Sequence, residues 1–439
     1  MTAGASGGNP VASAGASGAQ PLIGQVWQSH AITPPTIQQC LRSFGIKCYR
    51  PGEIRAAYNL PLLYGAGVTG AGRTIVIVDS YGSPSIGTDL AAFDAQFGIK
   101  APPSFQVFQP VGPVPPFDVT NGTMVNWAFE TTLDVEWAHT VAPGANIVLL
   151  ETPVAETEGI VGVPQMVGAM NWAINHHIGD VISQSWGATE QTFKNAAQLK
   201  SQRSAYLNAF EHGVTVLASS GDFGAAGPRF SGASFYPFRA IGWPAADPLV
   251  TAVGGTFLNL NASGDRLTAD VTAADGPNGI TSGSGLSSVF ARPGNQDGVK
   301  GTVGDARGIP DISMSGACKG AVLVYLTFTG APSWDAICGT SESSPLFSGI
   351  VALAGQLAGH RLGFVNPVLY EMLSQQNSGI VDVTRGNTTV TVCTANCSGP
   401  NPTNTTVKGF PALNGYDLAT GVGTVNAPAF VVHLAQASR

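Results

Sequence analysis

The chain has 439 residues, 56 of them glycine; only 11% are charged, and the net charge is −7. That balance argues against a nucleic-acid binder, which should carry a basic patch, and no apolar run approaches the ~18 residues of a membrane span. The length suits one large domain or two to three average ones. Glycine stands well above the usual ~7%, which implies tight turns and close backbone contacts. A sparse, mildly acidic surface suits a secreted protein that works in acid.

Residues 1–45 read as a flexible segment and linker, because Met1 to Gln20 is rich in Gly, Ala and Ser. Residues 1–41 hold no Lys or Arg and no apolar core, so they do not read as a signal peptide. From Arg55 onward, short apolar runs alternate with helical stretches. Strands are predicted at Thr74–Asp79, Asn146–Leu150, Val181–Gly187 and Val214–Ser219. Helices are predicted at Ser85–Phe97, Asn126–His139, Gln165–His177 and Ala197–His212. This alternation implies right-handed βαβ units and a mainly parallel sheet flanked by helices. Residues 225–335 are richer in Gly and Pro, with β-like runs at Leu249–Phe257 and Ala321–Phe328. An apolar helix is predicted at Pro345–Leu357, and residues 390–412 read as a surface insertion. The six cysteines fall into near pairs: Cys40/Cys48, Cys318/Cys338 and Cys393/Cys397. Local disulfides in an oxidising compartment are the simplest reading.

Four segments carry chemistry. Asp79 closes the first strand, where functional residues of such folds collect. Glu130 and Asp134 are four apart on one helix face, where like charges are mutually unfavourable. An isolated pair of this kind is more often a solvated acidic face, but two close carboxyls also share a proton. Ser219-Ser220-Gly221-Asp222-Phe223-Gly224 follows a buried strand. It is an ordinary Asx turn or a carboxyl fixed to donate to an oxyanion when protonated. In Cys338-Gly339-Thr340-Ser341, the serine precedes a helix, where it is either a cap or a nucleophile beside unpaired N–H groups.

Together these segments resemble the sedolisin family, the serine-carboxyl peptidases, over nearly the whole stretch from Cys48 to Pro428. Gly339-Thr340-Ser341 with Pro345 matches the family's nucleophile motif. Glu130, Asp134 and the following Ala142-Pro143-Gly144-Ala145 match its acidic helix, and Ser220-Gly221-Asp222-x-Gly224 matches its oxyanion loop. Ser185-Trp186-Gly187, Val253-Gly254-Gly255-Thr256, Pro310-Asp311-Ile312 and Asn366-Pro367 also match. The resemblance implies a subtilisin-like α/β fold over residues 46–439. It implies an acid-active endopeptidase with Ser341 as nucleophile, Glu130 as base, Asp134 as its partner and Asp222 as oxyanion donor. Tripeptidyl-peptidase activity and an inactive peptide-binding homologue are the alternatives.

The resemblance further implies one structural Ca²⁺, held by the carboxylates of Asp382 and Asp417 and the carbonyls of Val383, Leu413 and Gly415. Oxygen-only ligation suits that ion. A secreted monomer acting on proteins or peptides is expected, with no nucleic-acid or membrane partner. Some departures stand out. Leu413 replaces a frequent glycine, Cys338 replaces a usual Ser or Gly, and Asp79 stands where some relatives place a longer Glu. Relatives usually carry a large N-terminal prosegment, which residues 1–45 are too short to hold. The nearest rival is a Ser/His/Asp subtilisin with Asp79 as its acid. Its histidine would have to be His139, which lacks the His-Gly-Thr-His context.

Overall fold

The computed structural model describes residues 24–276 and 279–438. Gln25–Ala31 forms strand β1 and Ile37–Phe44 forms helix α1, so the expectation of a flexible segment up to residue 45 fails for residues 24–45. The physical reason is local. Thr36 caps α1 in a reciprocal box with Gln39, Gly45 ends it in the left-handed region, and Cys40 bonds Cys48 in strand β2 (Lys47–Tyr49). Residues 1–23 lie outside the described residues.

Thr74–Ser80 forms β3, a β-branched run buried on both faces, as the interior of a parallel sheet requires. There follow α2 (Ile86–Phe97), β4 (Phe105–Phe108), α3 (Gly122–Val141), β5 (Asn146–Thr152), α4 (Val163–Asn175) and β6 (Val181–Gln184). The predicted helix over Ala197–His212 divides into a short turn at Ala196–Lys200 and α5 (Ser204–Glu211). Then come β7 (Thr215–Ser219), β8 (Thr251–Phe257), β9 (Val271–Thr272) and β10 (Ile312–Ser315). These strands form an eight-stranded sheet in the order β9-β8-β7-β6-β3-β5-β4, with β10 also on β8. All its pairings are parallel except that of β8 with β9.

The chain continues through β11 (Gly320–Leu326) and β12 (Ser333–Cys338) into helix α6 (Thr340–Ala358). A second sheet of four strands runs β1-β12-β11-β2. Alternate residues of β3 face opposite layers. Ile75 and Ile77 pack with α3, α6 and the terminal helix α7 (Ala427–Ala437), whereas Val76 and Val78 pack with α4 and α5. The predicted insertion is a hairpin of β13 (Val390–Ala395) and β14 (Thr403–Val407), seated on Ala225 and Ala226. All three cysteine pairs are bridged as their spacing suggests. No described helix is long and apolar enough to cross a membrane.

Candidate active site

The topology brings four chain ends to one place. Asp79 is the last residue but one of β3, β7 leads into Asp222, α3 carries Glu130 and Asp134, and β12 delivers Ser341 as the second residue of α6. Asp79, Glu130, Asp134 and Ser341 are fully buried, and Asp222 nearly so. The Cys318–Cys338 bridge anchors β12 at the residue before Gly339.

α6 begins five residues before the predicted helix, so Pro345 lies inside it rather than in its first turn. A proline there cannot donate to the carbonyl four residues back, which is that of Ser341. The Ser185 hydroxyl lies 3.4 Å from that freed oxygen and donates at 2.8 Å to Asp134 Oδ1. One serine after β6 therefore touches both the acidic helix and the backbone of Ser341.

Burial first, then the charges of Asp134 and Asp79, raise Glu130 well above the usual carboxyl range, while the Ser341 hydroxyl opposes the shift. Burial and then Asp79 raise Asp134, against hydrogen bonds from Ser185 and Glu130. Neither oxygen of Glu130, nor Ser341 Oγ, has a partner of regular hydrogen-bond geometry. Glu130 and Ser341 are thus adjacent but not locked, and such contacts often tighten only with substrate in place. Asp79 Oδ2 accepts from Thr131 at 2.9 Å, and burial pushes this group up to about 7.

Asp222 is polarised by its neighbours. Its Oδ1 accepts from the Thr340 N–H at 2.7 Å and the Thr340 hydroxyl at 2.8 Å. That hydroxyl in turn accepts from the Gly221 N–H at 3.1 Å. Oδ2 is buried without a partner. Burial pushes the group up to about 7 despite the Thr340 bonds, so in acid the proton belongs on Oδ2, the oxygen free to donate. The loop needs its glycines: Gly221 has φ 111°, and a methyl on the facing Gly283 would meet the Ser220 carbonyl at 2.1 Å.

His139 does not join this group. It is fully buried, with Nε2 donating to the Lys100 carbonyl at 3.1 Å and lying 3.2 Å from Asp94. The Ser/His/Asp alternative therefore lacks its base.

A cavity of about 450 Å³ opens beside Asp222 between Trp186, Phe223, Ile241 and Trp243. Glu158 reaches its wall, accepts from the Thr189 N–H at 2.7 Å, and is pushed up to about 8 by burial. Sequence spacing does not reveal this carboxyl, nor the roles of Thr340 and Ser185, although both lie inside quoted motifs.

Asp382 and Asp417, the two carboxylates expected to hold calcium, both bond the backbone of the 413–415 turn. The Leu413 N–H donates to Asp417 Oδ2 at 2.7 Å, and the Gly415 N–H to Asp382 Oδ2 at 2.9 Å. Asp417 Oδ1 caps the following turn through the Ala419 and Thr420 N–H groups. Val383 is buried beside Asp382. Among the described residues no three His, Cys, Asp or Glu side chains gather as a metal cluster. Two carboxylates and three carbonyls fit a hard cation on oxygen chemistry, not on side-chain count.

The family model described as the subtilase family (Peptidase S8) matches residues 122–373. Kumamolisin of Bacillus sp. (strain MN-32) is 29% identical over 384 residues, covering 86% of this chain and 62% of that protein. Tripeptidyl-peptidase 1 of Canis lupus familiaris is 28% identical over 400 residues, covering 87% and 63%. The chain thus spans about three fifths of the length of these curated relatives. The solved structure of Pseudomonas sedolisin (serine-carboxyl proteinase), complexed with two molecules of pseudo-iodotyrostatin, superposes with a TM-score of 0.73 at 26% identity. It covers 90% of this chain, and all of that one is matched.

Proposed function

Because the chain belongs to the subtilase family, and within it to the sedolisins, we propose that it is an acid-active serine-carboxyl endopeptidase. The observation that carries this reading is the burial of Glu130 beside Ser341, with Asp134 tied in through Ser185 and His139 turned away to Asp94 and the Lys100 carbonyl. Ser341 Oγ attacks the peptide carbonyl and passes its proton to Glu130. Asp134, steadied by Ser185, shares the charge of Glu130. Asp222 Oδ2–H donates to the developing oxyanion. The C–N bond then breaks as Glu130 returns the proton to the leaving amine. Water hydrolyses the acyl-enzyme by the same relay in reverse order.

A carboxyl base ordinarily titrates near ~4 and an imidazole near ~6.5; burial raises Glu130 above that ordinary range, and it takes and gives protons as one coupled pair with Asp134. Asp222 loses its donor proton as pH rises through about 7. The cavity beside Asp222 takes the side chain on the acyl side of the scissile bond, and its indole walls suit a large uncharged group.

Release of tripeptides is the second reading, favoured by the relatives that carry that name. One structural Ca²⁺ held by Asp382, Val383, Leu413, Gly415 and Asp417 would fix the stem of the β13–β14 hairpin. Three disulfides support a secreted enzyme, which we propose acts as a monomer.

The test is the cleavage rate of a denatured protein from pH 2 to 8 for the wild type and Glu130→Ala. The expected result is an acid optimum lost in the variant. A neutral optimum indifferent to Glu130 overturns the mechanism.

A further inference from the structure

A second cavity, of about 460 Å³, opens at the C-terminal ends of β3 and β5, whereas the one beside Asp222 lies at the ends of β6 and β7. Tyr81, Ser83, Gln109, Phe117, Met124 and Glu151 contribute to its wall. Glu151 faces Asp79 in the parallel register of the two strands, and its charge acts on Asp79. The charge of Asp79 in turn acts on Glu130, so Glu151, on the cavity wall, heads a line of carboxyls that runs inward to Glu130.

Glu151 is short of partners. Oε2 accepts from Gln109 Nε2 at 2.9 Å. Among the described residues, no Lys, Arg or His forms an ion pair with it. Ser83 Oγ, on the same wall, is buried and also without a partner. The side chain of Glu151 lies across Gly82, where a methyl would meet Oε1 at 1.9 Å. The loop after β3 thus leaves room for this carboxyl and supplies no cation to neutralise it. Buried carboxylates and hydroxyls normally find partners, so these two point to a ligand that brings a positive charge and hydrogen-bond donors.

The position suits a substrate. Met124 and Glu130 lie on the same helix, about 9 Å apart along its axis at ~1.5 Å per residue. An extended peptide advances ~3.3 Å per residue, so the cavity stands about two to three residues from the scissile bond. We propose that it is a substrate subsite for a positively charged nitrogen, with Glu151 as counter-ion and Ser83 Oγ as an accepting neighbour. The proposal rests on the peptidase reading for its substrate. The cation has two sources: the α-amino group of a short peptide, or a lysine or arginine side chain.

The test uses peptides of one sequence with a free or acetylated N-terminus, and with lysine or norleucine at each residue two or three from the cleaved bond. KM and kcat are measured for the wild type and Glu151→Gln. Kd is measured by calorimetry for Ser341→Ala and for Ser341→Ala with Glu151→Gln. Glu151→Gln keeps the size of the side chain and an acceptor for Gln109, so it should fold. Removing the cation should raise KM and Kd about tenfold when Glu151 is present, and hardly at all in Glu151→Gln. Sensitivity to acetylation identifies the α-amine, and sensitivity to norleucine identifies a side chain. Equal ratios with and without Glu151 overturn the subsite, as does a failure of Ser341→Ala to bind any of the peptides. If the wild type cleaves nothing but Ser341→Ala binds cationic peptides in a Glu151-dependent way, the peptidase reading fails and the subsite stands.

Discussion

At Asp222, two oxygens of one carboxyl have different work. Oδ1 is tied to Thr340, and Oδ2 is left to carry a proton. Asp222→Asn keeps a hydrogen-bond donor at every pH. The decline in kcat/KM through about pH 7 should therefore vanish in that variant, with activity in acid lowered by about tenfold from the altered fit. A pH–rate profile reads both effects. His139→Ala should leave that profile unchanged but lower stability by about 2 kcal/mol, because Asp94 and the Lys100 carbonyl lose a buried partner; urea unfolding measures this. Ser341, Glu130, Asp134 and Asp222 were legible through the motifs that resemble the sedolisin family; spacing alone sets them at a strand end, a helix start or one helix face and leaves a cap, an Asx turn or a solvated acidic face equally open. Ser185, Thr340 and Glu151 were not legible in role. Their partners lie far along the chain, and only the closed sheet reveals them.

Among the elements, α6 shows why helix boundaries resist sequence reading. The apolar run begins at Pro345, yet the helix begins at Thr340, because the Gly339-Thr340 turn is held from outside by Asp222 and the Cys318–Cys338 bridge. Strands β3, β5, β6 and β7 were legible because burial on both faces demands unbroken apolar runs. The split at Ser201–Arg203 was not legible: Arg203 leaves helical order to pair bidentately with Asp247, 44 residues away. Replacing both Cys318 and Cys338 with serine reopens a 20-residue loop. The expected cost is about 3 kcal/mol in denaturant unfolding, with a fall in kcat larger than any change in KM, since the nucleophile's turn loses its anchor.

Across the whole molecule, buried carboxyls greatly outnumber the cations that reach them. Asp79 and Asp222 are pushed up to about 7 and Glu158 to about 8 by burial. A carboxyl raised in the folded state stabilises the fold fully below its ordinary ~4, and loses that contribution as pH rises through its folded value. The melting temperature should therefore fall steadily from pH 4 to 8, the reverse of ordinary acid denaturation; scanning calorimetry across that range checks it. Calcium chelation should lower the melting temperature further, and Asp417→Ala should abolish that response. A different consequence follows from β1. Gln25↔Cys338, Val26↔Ile337 and Trp27↔Ala336 make it the outer strand on β12. A shortened protein cut at residue 46, where the sequence suggests a natural starting point, would strip away that strand. The bared row of N–H and C=O groups would be open to pairing with another chain. The practical boundary for producing the protein is residue 24, and a version starting at 46 should precipitate or associate before its chemistry can be judged.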